Sequence, residues 1–277
     1  MPLPEAAVHR VQVVHVDAAG DAHARQDCVA VEAPLEVWVG QEMVATTMRT
    51  PGHDEELAAG LLWAEGIVTA PDDLLALVAH APDPGAGPLA AAVARATLAV
   101  PPPPALAQAK RGTLTSAACG VCGRQTLEDL LPAPGAQPSA ALHLNVRTLA
   151  ALPAALRRAQ AAFDVTGGLH AAGVTDANGQ MLVVREDVGR HNAVDKAVGR
   201  LVLDRRIHAA ACLVVSGRTS FEIVQKAIRA RIAAVIGVSA PSSLAVALAE
   251  RHGVLLLGFA RAGACNVYSS HKHDAGL

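Results

Sequence analysis

The class of fold follows from the stretch Ala211-Cys-Leu-Val-Val-Ser-Gly-Arg-Thr-Ser-Phe-Glu-Ile-Val-Gln-Lys-Ala-Ile-Arg229. It joins a short continuous apolar run to a turn of small and polar residues, and then to a segment of helical period. The apolar side chains of that segment recur on one helical face, at Phe221, Val224, Ala227 and Ile228. A buried strand followed by an amphipathic helix is the repeating unit of a sheet covered by helices.

The same unit recurs on both sides of this stretch. Further apolar runs occupy residues 181–185, 233–238 and 254–259. With the run at 211–215 these make four, and the first three along the chain are each followed by a stretch of helical period. Such alternation predicts an α/β fold with a largely parallel sheet.

The N-terminal part has a different texture. Short β-type runs alternate with turn residues over residues 11–39, and Pro51-Gly-His-Asp-Glu-Glu-Leu57 begins a helix. Four prolines at residues 101–104 close this part, because proline continues neither a helix nor a central strand. We therefore expect a smaller N-terminal α+β domain over residues 1–108 and an α/β core domain over residues 109–277.

Composition narrows the classes of partner. The chain has 277 residues, a formal net charge of −2 and 2% aromatic residues. Near-neutrality provides no basic surface for duplex nucleic acid, and few aromatics argue against base-stacking platforms, so we expect any bound nucleotide to be a small ligand. The N-terminus lacks the apolar region of a signal peptide, and no apolar run reaches the ~18 residues of a membrane span. These features predict a cytoplasmic protein with no membrane partner.

Four loops follow the predicted strands, at residues 186–192, 216–220, 239–243 and 258–263. Open α/β sheets bind ligands beyond the carboxyl ends of their strands, so these loops are expected to share a pocket. Arginines and free amides at helix N-termini suit a phosphorylated ligand. The candidate ligand-binding residues in these loops are Arg190, His191, Arg218, Thr219, Ser220, Ser242 and Arg261.

Part of this pattern has a purely structural explanation. Thr219 and Glu222 fit a capping box, and Ser242 or Ser243 suits a helix N-cap. His191 recurs with Asp187 and Asp195 at helical spacing, so one turn either orients His191 between carboxylates or forms a salt-bridged surface.

His170 stands in the glycine-rich run Thr166-Gly-Gly-Leu-His170. Glycines suit the close approach of a ligand to the backbone. A turn entering the sheet also explains them, and both interpretations stay open.

The five cysteines form no paired framework. Two stand in Thr113-Leu-Thr-Ser-Ala-Ala-Cys119-Gly-Val-Cys122-Gly123, as a C-x-x-C pair with a glycine after each thiol. In a chain without a secretory signal this pattern indicates a metal-binding or reactive pair, and small neighbours leave both thiols accessible. Cys212, within an apolar run, is expected to be an inert buried thiol.

Three other uses of a C-x-x-C pair fit less well. The zinc-deaminase signature places proline before the first cysteine, and Ala118 stands there instead. A structural zinc module needs two further ligands at short spacing, which the sequence near Cys122 lacks. A thioredoxin-type pair follows a strand directly, whereas this pair precedes the predicted sheet. We expect no permanently bound metal.

Several segments together resemble the FdhD family of sulfur carriers, which are required to activate molybdenum or tungsten formate dehydrogenases. The resemblance covers nearly the whole chain, and its longest motif is an 11-residue run. The matching segments are Ala33-Pro-Leu-Glu-Val37, Met48-Arg-Thr-Pro-Gly-His-Asp-Glu-Glu-Leu57, Cys119-Gly-Val-Cys-Gly123, Thr166-Gly-Gly-Leu-His170, Glu186-Asp-Val-Gly-Arg-His-Asn-Ala-Val-Asp-Lys196, Ser216-Gly-Arg-Thr-Ser-Phe-Glu222 and Ser239-Ala-Pro-Ser-Ser-Leu-Ala245.

The resemblance implies a cytidine-deaminase-like α/β/α core, a homodimer and sulfurtransferase activity. Persulfide sulfur from a cysteine desulfurase would be carried on Cys119, with Cys122 assisting. It would pass to the molybdenum (or tungsten) bis-molybdopterin guanine dinucleotide cofactor, bound as a substrate before its insertion into formate dehydrogenase. A guanine nucleotide would mimic part of that cofactor. The alternative is a cofactor-binding chaperone without sulfur transfer, for which the cysteines would be dispensable.

The resemblance also maps a cofactor-binding segment onto the chain. It falls just past the last predicted strand. The strand-end rule, by which open α/β sheets bind ligands beyond the carboxyl ends of their strands, already places a pocket there. The residues of the segment are Phe259, Ala260, Arg261, Ala262, Gly263 and Ala264.

Overall fold

The computed structural model describes residues 5–270 except residues 84, 88, 100–141 and 143, so the candidate thiols Cys119 and Cys122 lie outside the described residues. Strands and helices alternate one for one over residues 181–261. In order they are β1 (Val8–Val16), β2 (Ala22–Ala30), β3 (Ala33–Val39), β4 (Glu42–Arg49), α1 (Asp54–Ala64), β5 (Leu74–His80), β6 (Ala92–Leu98), α2 (Val146–Arg158), α3 (Ala161–Thr166), β7 (His170–Thr175), β8 (Met181–Asp187), α4 (Arg190–Leu203), β9 (Cys212–Val215), α5 (Phe221–Arg229), β10 (Ala234–Gly237), α6 (Ser243–His252), β11 (Leu255–Arg261) and β12 (Ala264–Ser269).

The larger sheet has six strands in the order β12-β11-β10-β9-β7-β8. Strands β9, β10 and β11 are parallel neighbours. Strand β7 lies antiparallel between β8 and β9, so β8 runs in the direction of β9 without touching it. Four strands thus share one direction, with β7 and the antiparallel edge strand β12 opposing them. The α/β prediction is confirmed, but the expected direct succession from β8 to β9 is interrupted by β7.

Both faces of this sheet are covered by helices. In β9, Leu213 and Val215 belong to a buried cluster with residues of α1, α4, α5 and α6. The alternating residues Cys212 and Val214 belong to a second cluster, which includes Leu149 and Leu156 of α2. Side chains of a strand alternate between the two faces, so the core has the three layers α/β/α.

A second sheet, in the order β4-β3-β6-β5, lies in the N-terminal part, and β1 and β2 form a separate hairpin. The inner side chains of this sheet, such as Leu35 and Ala94, belong to the same buried cluster as α1 and α4. The domain division at residue 108 stays a prediction. No helix in the described part of the chain combines the length and apolar character needed to cross a bilayer.

Helices α1 and α4 pack at unusually close range. A methyl group at Gly60 would lie 1.9 Å from the Asp195 carbonyl oxygen, and one at Gly199 would lie 1.8 Å from the Glu56 carbonyl oxygen. Only glycine permits this approach. The contact joins α1, the helix of the N-terminal part, directly to α4, the helix that follows β8.

A buried ion pair joins α1 in the N-terminal part to β8 of the larger sheet. The Glu56 carboxylate on α1 accepts a 2.8 Å hydrogen bond from Arg185 Nη2 on β8. Burial opposes ionisation of Glu56, but hydrogen bonds from Arg185 and His53 outweigh it and lower the pKa of Glu56 from 4.5 to about 2. Glu56 is therefore ionised throughout the physiological range.

Candidate functional site

The four loops after β8, β9, β10 and β11, here called the strand-end loops, meet at one edge of the larger sheet. The Phe259 amide donates a 3.3 Å hydrogen bond to the Ser239 carbonyl, and the Thr219 amide donates a 3.2 Å bond to the Ala240 carbonyl. A methyl group at Gly217 would lie 3.8 Å from Cβ of Arg190. Each loop thus contacts the next, as the shared-pocket prediction requires.

A buried polar network holds the first of these loops. Asp187, at the end of β8, is fully buried, and its Oδ2 lies 2.7 Å from Nζ of Lys196, which is 1% exposed. The same carboxylate accepts hydrogen bonds of 2.8 Å from the Gly189 amide and 3.1 Å from the Thr50 amide. Lys196 Nζ also donates to the Thr50 carbonyl at 2.7 Å. The start of α4 is therefore fixed to the segment between β4 and α1.

Asn192 extends the network toward β4. Its Nδ2 donates to the Met48 carbonyl at 2.7 Å and to Asp187 Oδ1 at 3.1 Å. Two of the motifs that carry the family resemblance, around Met48 and around Asp187, thus bind each other directly. Much of the long motif over residues 186–196 is a scaffold that positions the first turn of α4, which bears Arg190 and His191.

Glu186, just before Asp187, also has a structural partner. Its carboxylate accepts hydrogen bonds from the amides of Ala162 at 3.0 Å and Phe163 at 2.8 Å. These amides belong to the first turn of α3, where a carboxylate is favourable.

His191 is oriented by a carboxylate, but not one of the two predicted from helical spacing. Its Nε2 lies 2.8 Å from Oε2 of Glu222 and 3.1 Å from Oγ of Ser220. Asp187 pairs with Lys196, and Asp195 lies 2.6 Å from Nζ of Lys226 instead. The partner of His191 therefore comes from the next helix, α5.

Burial raises the pKa of the Asp195 carboxyl, against the opposing effect of Lys226. The carboxyl lies on α4, one turn beyond His191, and points to Lys226 on α5. Two side-chain contacts thus join α4 to α5: His191 with Glu222, and Asp195 with Lys226.

The capping predictions have mixed outcomes. Ser242 caps α6, because its hydroxyl accepts a hydrogen bond from the Ala245 amide at 3.3 Å, as predicted. The prediction of a capping box at Thr219 and Glu222 is wrong, because the N-cap of α5 is Ser220 and its side chain makes no capping hydrogen bond. Helix α4 also begins without one. The N-cap residues Gly189 and Ser220 thus provide no side-chain cap for α4 and α5, whereas Ser242 caps α6.

The other candidate residues differ in accessibility. Thr219 is 1% exposed and lies against Gly237. Arg218 and Arg261 are exposed. Nε of Arg190 is buried and has no hydrogen-bond partner within the residues the structure describes. Exposed or incompletely bonded guanidinium groups favour binding of an anion.

The predicted cofactor segment is a β-hairpin. It was expected just past the last strand, but it spans the end of β11, a two-residue turn at Ala262 and Gly263, and the start of β12. Phe259 is 50% exposed and has a left-handed backbone, with φ of 52°. An aromatic residue in that conformation costs free energy, which is a feature of functional loops.

His170 is a residue at this edge that the strand-end rule missed. It is the first residue of β7, and it pairs in register with Asp187 of β8. Because β7 runs antiparallel to its neighbours, its amino end lies where theirs end. The pattern Thr166-Gly-Gly-Leu-His170 was the signal available in the sequence.

Two of the three described cysteines have environments unlike that of a reactive thiol. Cys212 is fully buried in β9, and burial raises its pKa to about 11, which confirms the expected inert character. Cys28 and Cys265 are half-buried, and burial raises the pKa of Cys265 as well.

The described residues contain no group of three or more His, Cys, Asp or Glu side chains that could hold a metal ion. His53-Asp54-Glu55 has the H-x-E spacing of the zinc deaminases. However, His53 Nδ1 lies 3.5 Å from Glu56, and Glu55 accepts a hydrogen bond from the Ala79 amide at 3.1 Å. Both side chains thus have contacts within the N-terminal part.

Sequence comparison identifies relatives over nearly the whole chain. Residues 30–274 match the FdhD/NarQ family. A protein named sulfur carrier protein FdhD, from Mycolicibacterium paratuberculosis, is 45% identical over 274 residues, covering 94% of this chain and 96% of that protein. Another of the same name, from Anaeromyxobacter dehalogenans (strain 2CP-C), is 44% identical over 88% of each chain.

A solved structure has the same fold. The crystal structure of a putative formate dehydrogenase accessory protein from Desulfotalea psychrophila matches with a TM-score of 0.74, over 95% of this chain and 98% of that one, at 23% identity. That likeness establishes the α/β fold alone. The match over residues 30–274 and the relatives above 40% identity establish the family. By these measures the chain belongs to the FdhD/NarQ family.

Proposed function

We propose that this protein is a sulfurtransferase that carries persulfide sulfur on Cys119, assisted by Cys122. It receives the sulfur from a cysteine desulfurase and passes it to the molybdenum or tungsten bis-molybdopterin guanine dinucleotide cofactor, which it binds as a substrate on behalf of formate dehydrogenase. The proposal includes action as a homodimer. The observation that carries it is the family match over residues 30–274, which includes the C-x-x-C pair and extends to relatives named sulfur carrier proteins.

The loading step needs only a reactive thiolate on this chain. The Cys119 thiolate attacks the outer sulfur of the desulfurase persulfide. The sulfur–sulfur bond of the donor breaks, and the donor cysteine leaves as a thiolate. The outer sulfur is then held as a persulfide on Cys119, and no external oxidant is consumed.

The strand-end loops support the cofactor part of the proposal. Each guanine dinucleotide half of the cofactor contains a diphosphate, which carries negative charge. Arg190 begins α4, Arg218 lies on the loop after β9 and Arg261 ends β11, and the N-cap residues of α4 and α5 make no side-chain capping bond. These groups fit the phosphates of such a cofactor through charge-assisted hydrogen bonds.

Sulfur loading is tested by mass spectrometry without reductant, after incubation with a cysteine desulfurase and cysteine. We expect a gain of one sulfur atom on the peptide that contains Cys119. The Cys212 peptide is an internal control that stays unmodified, because that thiol is buried and has a pKa of about 11. Absence of added sulfur on Cys119 would contradict the carrier function and favour the cofactor chaperone without sulfur transfer.

Nucleotide binding at the strand-end loops is tested by thermal unfolding. GDP should raise the melting temperature, because a ligand that binds only the folded state stabilises it. Arg218→Ala or Arg261→Ala should weaken GDP binding about 10- to 100-fold, through loss of a charge-assisted contact of roughly 1.5 to 3 kcal/mol.

Arg251→Ala is the matched control for these variants. Arg251 is exposed, but it lies in the last turn of α6, at the opposite edge of the sheet. It should leave the GDP effect unchanged. A melting temperature that does not move at millimolar GDP would contradict nucleotide binding, and an equal GDP effect in the wild-type protein and in the Arg218 and Arg261 variants would place the nucleotide elsewhere.

A further inference from the structure

His170 is held beside the loop after β9 by the hydrogen bonds of the residue that follows it. The next residue, Ala171, donates its amide to Ser216 Oγ at 2.8 Å and accepts the Ser216 amide at 3.0 Å. These reciprocal bonds fix the start of the loop after β9 beside His170. The backbone of His170 is therefore held in a fixed position relative to Gly217 and Arg218 by hydrogen bonds between β7 and the loop after β9.

Gly217 has no side chain, and this leaves space between the side chains of His170 and Arg190. A methyl group on this residue would lie 3.2 Å from Nδ1 of His170 and 3.8 Å from Cβ of Arg190. Both side chains therefore border the same small volume above Gly217. A larger residue there would press on the imidazole.

The charges around His170 are mostly positive. The groups facing it in the described part of the chain are Arg190 and His191 on α4, Arg218 on the loop after β9, and Asp187 on β8. Asp187 is already paired with Lys196, so it offsets the positive charge only partly. Burial, followed by repulsion from Arg190, His191 and Arg218, lowers the pKa of His170 below 6.5. At pH 7 the imidazole is therefore mostly neutral in the protein without ligand.

We propose that His170, together with Arg190 and Arg218, binds an anionic phosphate of the nucleotide ligand, and that His170 takes up a proton as that ligand binds. The inference rests on the proposed function, because it concerns the phosphates of the same substrate. An anion placed among these groups offsets the positive charges that repel the imidazolium, and so stabilises that form. The proton comes from the solvent and stays on the imidazole until the ligand leaves.

The sign of the pH dependence follows from this linkage. The bound state holds the proton more tightly than the free state, so affinity is highest at low pH. Between the two pKa values of His170, GDP affinity should fall by up to about tenfold for each unit of rising pH. Above both values, His170 contributes no pH dependence.

Isothermal titration calorimetry with GDP near pH 7, in buffers of different ionisation enthalpy, counts the protons taken up on binding. The wild-type protein should take up more protons than the His170→Asn variant, by a difference of up to one. GDP itself titrates near this pH, but that contribution is common to both proteins. His208→Asn, which removes an exposed histidine on a distant turn, should behave as wild type.

A second measurement keeps the proposal testable if His170→Asn fails to fold. The His170 imidazole signal of the wild-type protein can be followed by NMR over pH, with and without GDP. Its midpoint should move up by about one pH unit or more when GDP is bound. If GDP binds and neither the proton count nor the midpoint changes, this proposal is overturned while the proposed function stands. If GDP does not bind at all, the nucleotide placement itself fails.

Discussion

The Cys119→Ala variant is expected to lose all activation of formate dehydrogenase while keeping its fold. A persulfide carrier needs one accessible thiolate, and alanine cannot hold the sulfur. Gly120 and Gly123 place no bulky side chain next to the pair. The measurement is formate dehydrogenase activity in a strain that lacks the native carrier and is complemented with the variant, alongside the thermal unfolding curve of the purified variant.

Two variants serve as controls for that result. Cys122→Ala removes the second thiol of the pair and should lower activation less, as expected of an assisting group. Cys28→Ala removes a half-buried thiol from strand β2 and should leave activation intact. If the Cys119→Ala variant activated formate dehydrogenase to the wild-type level, sulfur transfer would be contradicted. The cofactor-binding chaperone would then be the remaining function, because it needs the strand-end loops and not the thiols.

The elements with strong periodicity were predictable from the sequence. The apolar face of Phe221, Val224, Ala227 and Ile228 is buried in the structure, and the strand before it lies at the centre of the sheet. Gly253 ends α6 in a left-handed conformation, as its position after an amphipathic stretch indicates. In these segments the local pattern and the tertiary packing require the same structure.

Two elements of the core lacked such a signal. Strand β7 is rich in Ala and Gly and has no continuous run of large apolar residues. At Gly173 a methyl group would lie 2.7 Å from Met181 Sδ and 3.1 Å from Leu156 Cδ1, so the side chains around this position leave little room for a larger residue. Helix α2 contains Pro153, which argues against a helix when it is read locally. The antiparallel insertion of β7 follows from sheet pairing, which spacing along the chain does not encode.

In the candidate site, too, some features were predictable from local sequence patterns and others depend on tertiary contacts. Strand-end loops and their arginines were predictable, because the topological rule depends only on strand direction. The contact of His191 with Glu222 joins residues 31 positions apart, on different helices, and helical spacing suggested Asp187 and Asp195 instead. His170 was missed as a strand-end residue because it begins an antiparallel strand.

The second large effect is expected from Lys196→Met, which should destabilise the fold by about 3 to 5 kcal/mol. Lys196 is almost fully buried, and methionine keeps much of the side-chain volume while removing the ammonium group. The Asp187 carboxylate would then stay buried without its cation, and the Thr50 carbonyl would lose its 2.7 Å hydrogen bond. Urea unfolding of the wild-type protein and the variant measures the difference.

The matched control is Arg25→Ala, which removes an ion pair with Asp27 whose side chains are 55% and 47% exposed. Such a pair contributes less than about 1 kcal/mol, because water screens both charges. The double variant Asp187→Asn with Lys196→Met should cost less than the two single changes added together, since neither charge is left buried alone. Purely additive losses would mean that the two groups act independently. Lys196 would then stabilise the fold through Thr50 and its own packing, and the start of α4 would be positioned by the remaining amide bonds to Asp187.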